Sequence, residues 1–195
     1  MKSSLLRFWA CMLVLFLAAC GAQPLQFKAT DVTGSAIGGA LKLKDHNGRA
    51  VSIESFKGKV VVVFFGYTHC PDICPTTMAD LGRTMKQLGT AAANVQVLFV
   101  SLDPERDSPA ILSQYVPAFH PSFLGLTGSL EEIQREASAF KVVFQKSPGA
   151  QVGEYTVDHS TGSYVFDKTG RLRLYVSHGA GDAVFSHDIS LLLNQ

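Results

Sequence analysis

The sequence predicts an α/β domain in which a central mixed sheet is flanked by helices. Two apolar runs, residues 60–65 and 95–102, have the length and β-branched content of strands buried on both faces. A polar loop and then a helical pattern follow each run, and this order predicts parallel pairing through a right-handed crossover. Two later alternating segments, 163–166 and 171–176, flank a turn at 167–170 and predict the antiparallel part of the sheet.

Three further features complete the predicted arrangement. Residues 41–53 alternate around Asn47-Gly48, which favours a hairpin before the first buried strand. Residues 146–153 contain one proline and two glycines and predict an exposed loop. An amphipathic helix is predicted after Gly181. This order of elements is the thioredoxin arrangement, with a hairpin at its N-terminal side and an insertion before the C-terminal hairpin.

The other helices are predicted from their capping residues and apolar spacing. Pro75 suits a first helical position. Apolar residues then recur at helical spacing and indicate a core stripe: Met78, Leu81, Met85 and Leu88. The two methionines are assigned to this stripe rather than to a metal site. Ser108-Pro109 predicts a short helix that runs to about Ala118. Ser129 with Glu132 predicts a capping box at the start of the next helix.

The amino terminus has the pattern of a signal peptide. Lys2 and Arg7 precede the apolar stretch 8–19, which is too short to span a bilayer comfortably. The stretch ends in Leu17-Ala18-Ala19-Cys20, which resembles the lipobox of bacterial lipoproteins. In those proteins the cysteine receives lipid and becomes the first residue of the mature chain. A signal peptide cleaved elsewhere and an uncleaved anchor are the alternatives.

These features divide the chain into three predicted segments. Residues 1–19 form the signal peptide, 20–39 form a lipidated tether with several glycines, and 40–195 form the folded domain. The domain is then expected on the periplasmic side of a bacterial membrane, anchored through Cys20. The formal net charge is only +1, which provides no basic surface for nucleic acid.

The chemistry of the chain is concentrated in Cys70 and Cys74. Cys11 leaves with the predicted signal peptide and Cys20 is expected to be lipidated, so that these two remain as thiols. They follow the carboxyl end of the first buried strand, where open α/β sheets place their sites. Because Pro75 predicts the first helical position, Cys74 is expected near the N-cap, where the helix dipole lowers the pKa of a thiol. A disulfide that only closes the loop is the alternative.

Three blocks of this domain resemble the Sco/SenC family. They are residues 65–75 (FGYTHCPDICP), 101–109 (SLDPERDSP) and 157–160 (VDHS), and they occur in the family's order. The resemblance covers the chain from about residue 40 to 193. It implies a thioredoxin-like fold and an exported, membrane-tethered domain that binds copper. It also implies a role in building the binuclear CuA centre of cytochrome c oxidase.

Carried over residue by residue, the resemblance implies that Cys70, Cys74 and His159 are the copper ligands. Two thiolates and an imidazole suit copper as Cu(I) or Cu(II), although they could also hold Zn(II). His159 lies in the segment that enters the final hairpin, where disulfide-handling thioredoxins carry a cis-proline, and no proline follows Pro148 here. This difference favours metal binding over general thiol exchange. Asp158 either orients the histidine or is a solvated residue at the strand end.

Other polar residues near these blocks have open roles. His69 adjoins Cys70, but the geometry at the strand end can turn its ring away. Asp72 either tunes the charge of the site or is a solvated loop residue, and the charges of 103–107 either contact a partner or close their loop. The remaining histidines are expected in loops or at the surface: His46, His120, His178 and His187.

Three functions fit these residues, and a metallochaperone is favoured over an enzyme. A metallochaperone would receive copper from a donor and pass it to the copper-site subunit of cytochrome c oxidase. In an oxidising compartment it would also need a thiol reductant. The alternative is a thiol–disulfide reductase that uses Cys70 and Cys74 as a redox-active pair to keep a target's cysteines reduced. A redox sensor or peroxidase would need an exposed thiolate of low pKa.

Overall fold

The computed structural model describes residues 25–149 and 154–195. The predicted signal peptide and Cys20 lie outside the described residues, as does the end of the predicted loop at 150–153. The strands of the described part are β1 (Thr30–Asp31), β2 (Leu43–Asp45), β3 (Ala50–Val51), β4 (Val60–Gly66), β5 (Val95–Ser101), β6 (Leu124–Thr127), β7 (Phe144–Pro148), β8 (Tyr155–His159), β9 (Ser163–Phe166) and β10 (Leu172–Val176).

Four α-helices and two short 3-10 helices connect these strands in the described residues. The α-helices are α1 (Ile73–Leu88), α2 (Pro109–Tyr115), α3 (Leu130–Ala139) and α4 (Asp182–Leu193), and the 3-10 helices are Ile53–Phe56 and Gly89–Asn94. α1 packs against α4, and α2 packs against β6. Within the described part of the chain, every helix is too short or too polar to cross a bilayer.

Eight strands form one mixed sheet in the order β1-β10-β9-β4-β5-β6-β2-β3. The central strand β4 pairs in parallel with β5 and antiparallel with β9. Every residue of β4 and β5 is buried, because helices and loops cover both faces of the sheet centre. The predicted α/β architecture, the parallel core and the two hairpins β2–β3 and β9–β10 are confirmed.

Helix α1 begins two residues earlier than predicted. Its N-cap is Asp72, and Pro75 occupies the third helical position rather than the first. The first-turn N–H groups have no intrahelical partner, so a proline without an N–H is tolerated there. Cys74 therefore lies inside the first turn, where its side chain is fully buried, and not at the N-cap.

Two other boundaries differ from the prediction. α2 ends at Tyr115 instead of about Ala118, because Pro117 has no N–H with which to continue the helical hydrogen bonds, although Val116 before it keeps a helical conformation. Residues 146–148 were predicted as loop and instead belong to β7, whose exposed polar side chains lack the alternation that marks a half-buried strand. The predicted capping box is confirmed: Ser129 Oγ accepts from the N–H of Glu132, whose carboxylate accepts from the N–H of Ser129.

Strands β7 and β8 form a two-stranded sheet of their own, separate from the eight-stranded sheet. Phe144 at the start of β7 pairs with His159 at the end of β8, and Pro148 pairs with Tyr155 at the opposite end. The predicted insertion is therefore a hairpin, and this hairpin carries His159.

Part of the predicted tether is folded onto the domain. β1 pairs antiparallel with β10 at the edge of the large sheet. The backbone N–H groups of Lys28 and Ala29 donate to the buried carboxylate of Asp188 on α4, at 2.9 and 2.8 Å. The folded domain thus begins before the predicted boundary at residue 40.

Candidate metal centre

The loop that carries the cysteines leaves β4 at Gly66 and is fixed by a buried carboxylate. Asp107 accepts hydrogen bonds from the N–H and hydroxyl of Thr68, at 3.1 and 2.6 Å, and from the hydroxyl of Ser101 at 2.6 Å. Asp103 and Asp107 are both fully buried. The two aspartates of the charged segment 103–107 therefore hold loops together instead of presenting their charge to solvent.

Gly66 makes room for the second cysteine at the end of the central strand. A Cβ atom added to Gly66 would lie 2.8 Å from the Sγ atom of Cys74 and 3.1 Å from the ring of Phe99. A contact of 2.8 Å is shorter than packed atoms tolerate. The absence of a side chain at residue 66 thus allows the thiol to pack directly on the strand.

Cys70, Cys74 and His159 converge although 85 residues separate the histidine from the second cysteine. One ligand atom of each residue lies within 4.8 Å of the others, and they are a group among the described residues that could hold a metal ion. Cys74 Sγ lies 3.6 Å from His159 Nε2, and the N–H of Cys74 donates to Cys70 Sγ at 3.4 Å. Both cysteines are free thiols rather than a disulfide. The expected convergence is confirmed, and metal binding by these residues stays a prediction.

A backbone carbonyl orients the imidazole of His159. Nδ1 lies 2.8 Å from the carbonyl oxygen of Ser160, which can only accept, so that Nδ1 carries the proton. The lone pair of Nε2 then points toward Cys74, and the ring of Tyr67 packs edge-on at 6.0 Å between centroids. Asp158 is exposed and accepts from Ser147 Oγ at 2.6 Å, so Ser160 and not Asp158 orients the ring.

The two thiols have opposite pKa shifts. The hydrogen bond from the Cys74 thiol lowers the pKa of Cys70 to about 3, although burial opposes the shift. The same bond and burial raise the pKa of Cys74. The expectation that the helix dipole lowers the pKa of Cys74 is therefore wrong: the lowered pKa belongs to the half-buried Cys70, and the buried Cys74 retains its proton.

The remaining histidines and Asp72 lie outside the group. His69 is exposed, and its Nδ1 lies 3.0 Å from Thr68 Oγ1. His178 is also exposed, and Asp72 is a solvated N-cap residue whose carboxylate accepts from Thr76 Oγ1 at 3.3 Å. The expectations that the ring of His69 turns away from the cysteines and that His178 lies at the surface agree with the structure, and of the two roles left open for Asp72 its exposure favours the solvated one.

A cleft of about 400 Å³ opens beside the dithiol. Tyr67 and Cys70 of the loop and Ile73 at the start of α1 line this cleft together with Val157 and His159 of β8. The thiolate of Cys70 faces this cleft, whereas Cys74 is sealed beneath it. A metal ion or a thiol of another molecule can therefore approach Cys70 first.

Sequence analysis missed two residues that shape the group. Tyr67 packs against the His159 ring, and Ser160 supplies the carbonyl that orients it. Both residues lie inside blocks that resemble the family, but their roles depend on contacts between segments that are distant in sequence. The only available signal was their nearness in sequence to Cys70 and His159.

A thiolate, a buried thiol and an imidazole with a free lone pair meet at the end of a central strand. This combination defines a thioredoxin-like protein whose two cysteines and histidine could hold a metal ion. The chain belongs to the SCO1/SenC family, whose pattern it matches over residues 29–194.

Known relatives and solved structures agree with this assignment. The mitochondrial SCO2 homolog of Bos taurus is 40% identical over 146 residues, which are 73% of this chain and 55% of that protein. The structure of Bradyrhizobium japonicum ScoI with copper bound is 38% identical, has a TM-score of 0.74 and covers 81% of this chain and 100% of that one. A structure of BsSco, described as a member of the Sco family of cytochrome c oxidase assembly proteins with a disulfide switch, is 25% identical, with a TM-score of 0.62 and coverage of 89% and 98%. The chain spans about half the length of several curated relatives.

Proposed function

We propose that the chain is a copper metallochaperone that holds copper on Cys70, Cys74 and His159 and helps assemble the CuA centre of cytochrome c oxidase. The observation that carries this proposal is the convergence of two sulfurs and one imidazole nitrogen within 4.8 Å. Two soft sulfur ligands and an imidazole suit copper. Bradyrhizobium japonicum ScoI, a structural neighbour with copper bound, and the description of BsSco as a cytochrome c oxidase assembly protein support it.

The three side chains have distinct parts in loading and release. Cys70 is a thiolate before metal arrives and faces the cleft, so it is the first ligand that copper meets. Cys74 must lose its proton to bind, and the Nε2 lone pair of His159 already faces it. Copper is the cargo, and ligands of the recipient replace these three one at a time through the same cleft.

A copper titration of the full chain tests this proposal. The reduced protein is expected to bind one Cu(I), the Cys70→Ala and Cys74→Ala variants are expected to lose this binding, and His159→Ala is expected to weaken Cu(II) binding at least about tenfold. His178→Ala is the matched control, because that exposed imidazole lies outside the group. A reduced wild type that binds no Cu(I), or unchanged Cu(II) affinity of His159→Ala, would refute the proposal.

The second candidate function is reduction of a disulfide in the copper site of a target protein. The half-buried thiolate of Cys70 beside the buried thiol of Cys74 favours it. Cys70 would attack the target disulfide and form a mixed disulfide while one target thiolate leaves. Cys74 would then attack Cys70, release the second target thiol and leave a Cys70–Cys74 disulfide, which an external dithiol reductant must reduce.

Trapping of the mixed disulfide tests the reductase function. The Cys74→Ser variant lacks the resolving thiol and is expected to accumulate a covalent adduct with an oxidised copper-site domain of the oxidase. Cys70→Ser is the matched control and is expected to form none. If Cys74→Ser yields no adduct, reduction of the target is excluded as a function of this pair.

We also propose that the chain is exported and lipid-anchored through Cys20 on the periplasmic side of a bacterial membrane. The lipobox-like residues 17–20 after a short apolar stretch support this, and residues 1–19 would be removed. Labelled palmitate is expected to appear on the wild type and on Cys11→Ala, and to be lost from Cys20→Ala. Label on Cys20→Ala, or none on the wild type, would contradict the anchor.

A further inference from the structure

The β7–β8 hairpin that carries His159 is joined to the rest of the domain at one end. The chain enters at Val143 and leaves at Ser160, and these two residues bind each other: Ser160 N–H donates to the Val143 carbonyl at 3.0 Å, and Val143 N–H donates to Ser160 Oγ at 3.2 Å. The hairpin makes no ladder with the large sheet in the described residues. Its orientation about this end therefore depends on side-chain contacts.

The opposite end of the hairpin is held by Arg106. Its Nη1 donates to the carbonyl oxygen of Tyr155 at 2.9 Å, and its guanidinium lies 3.6 Å from the centroid of the Tyr155 ring. Nε forms an ion pair with Asp103, and the Tyr155 hydroxyl donates to the same carboxylate at 2.8 Å. Asp103, Arg106 and Tyr155 thus close a three-membered contact, which we call the latch, between the loop after β5 and the start of β8.

The latch is mostly withdrawn from water. The Asp103 carboxylate is fully buried, and a quarter of the Arg106 side chain is exposed. Nη2 of Arg106 is buried without a hydrogen-bond partner among the described residues. This part of the guanidinium is therefore removed from water without a protein hydrogen bond to replace those it would make there. A buried, planar cation stacked on a ring restricts the movement of that ring more than an exposed ion pair does.

The latch also reaches His159 through a second route. The Arg106 guanidinium lies 5.8 Å from the centroid of the Tyr67 ring, and that ring packs edge-on against the imidazole of His159. Arg106 thus lies against two of the groups around the imidazole, namely strand β8 and the ring of Tyr67. It is not one of the three ligand residues of the group.

We propose that the latch positions His159 over the two sulfurs, so that Arg106 determines whether copper is held by three ligands or by two. This inference rests on the proposed copper function. Arg106 is a positioning residue, because it acts only through the hairpin and Tyr67. Without the latch, the hairpin turns about its joined end and moves the imidazole away from Cys74. Removal of a residue that orients a metal ligand typically lowers metal affinity about 10–100-fold.

A double-mutant cycle on the full chain tests the proposal. Arg106→Ala is expected to lower Cu(II) affinity about 10–100-fold. In a His159→Ala background the same substitution is expected to cause no further loss, because the ligand on which it acts is already gone. Equal losses in both backgrounds would show that Arg106 supports the whole fold or the dithiol, and would overturn the proposal.

A measurement without metal separates the latch from the copper function. In the metal-free protein, nuclear Overhauser contacts between the rings of Tyr67 and His159 are expected in the wild type and lost in Arg106→Ala. Arg49→Ala is the matched control, because Arg49 is an exposed arginine that pairs with the buried Asp45 in another hairpin. Ring contacts that persist in Arg106→Ala would overturn the latch. Wild-type copper affinity of His159→Ala would instead refute the copper function and with it the effect of Arg106 on copper, while the positioning of the His159 ring by the latch would still stand if Arg106→Ala loses the ring contacts.

Two milder variants keep the test valid if Arg106→Ala fails to fold. Tyr155→Phe retains the stacked ring and removes only the hydroxyl bond to Asp103, and it is expected to lower Cu(II) affinity in the same direction by a smaller factor. Arg106→Lys keeps the charge but lacks the planar group that stacks on Tyr155, so it is expected not to restore the ring contacts. Wild-type values for both variants would overturn the proposal.

Discussion

At the scale of single residues, Cys70 and Cys74 differ more than their common chemistry suggests. Both follow β4 and lie within 4.8 Å of the same imidazole nitrogen, yet one faces a cleft and the other is sealed in the core. The sequence could identify the pair but not this division of roles. The start of α1 at Ile73 draws Cys74 into the first turn, and only the folded packing shows that Cys70 receives its hydrogen bonds.

Selective alkylation checks the division between the two thiols. Because the pKa of Cys70 is lowered to about 3, its reaction with iodoacetamide in the reduced, metal-free protein is expected to be independent of pH between about 5 and 8. Cys74 is expected to remain unmodified while the protein is folded. Mass spectrometry of peptides after timed quenching measures both. A Cys70 rate that rises about tenfold per pH unit in this range would contradict the assignment.

Substitution of Gly66 is expected to disturb the thiol that packs on it. A Cβ at this position would lie 2.8 Å from Cys74 Sγ, so Gly66→Ala is expected to lower the free energy of unfolding by about 1–3 kcal/mol and to weaken copper binding. Gly125→Ala is the control, because its Cβ would crowd Leu112 in the core at 3.0 Å, away from the thiols. Denaturant unfolding and copper titration of both variants provide the comparison. Equal copper affinities would contradict the stated role of Gly66.

At the scale of elements, the best-predicted parts were those whose signals are local. The buried runs of β4 and β5, the Asn47-Gly48 hairpin and the Ser129 capping box depend on neighbours along the chain, and all appear where expected. β7 was missed because its exposed polar side chains carry no apolar pattern. Strand β1 depends on a partner more than 140 residues away in sequence, which no local pattern indicates.

The N-terminal segment offers a test at this scale. Asp188 on α4 accepts the N–H groups of Lys28 and Ala29, so Asp188→Ala leaves two backbone donors without their partner. The free energy of unfolding is expected to fall by about 1–3 kcal/mol. Hydrogen exchange at these two amides is expected to accelerate more than at the amides of β4. Ser190→Ala is the control, since the Ser190 hydroxyl donates to the carbonyl oxygen of Ser186 on the same helix and not to Asp188. Unchanged exchange at Lys28 and Ala29 would contradict this attachment.

At the scale of the whole molecule, buried aspartates make stability depend on pH. Burial raises the pKa of Asp167, but hydrogen bonds from Thr169 and the backbone N–H of Arg171 outweigh it, so its pKa lies below the ordinary value of 3.8. The pKa of Asp45 is lowered in the same way, against burial, by bonds from Arg49 and Asn47. Because the folded pKa is the lower one, this stability is fully present above the unfolded pKa and is lost as the pH falls through the folded pKa.

A pH series of unfolding measurements checks this dependence. Asp167→Asn is expected to lower the free energy of unfolding by about 1–3 kcal/mol at pH 7, and the difference from wild type is expected to shrink below about pH 4. Glu54→Gln is the control, because its ion pair with Lys57 is exposed and it is expected to shift stability little at any pH. A difference for Asp167→Asn that stays constant from pH 7 to pH 3 would contradict the lowered pKa.

The attachment of Lys28 to Asp188 limits how far the domain can travel from an anchor at Cys20. Eight peptide units separate the two residues, and even a fully extended chain of that length reaches only about 27 Å. A lipid on Cys20 would therefore keep the domain close to the bilayer surface. This short linker favours recipients whose copper ligands lie at a similar distance from the bilayer, and a longer spacer inserted before Lys28 would allow recipients whose ligands lie farther away.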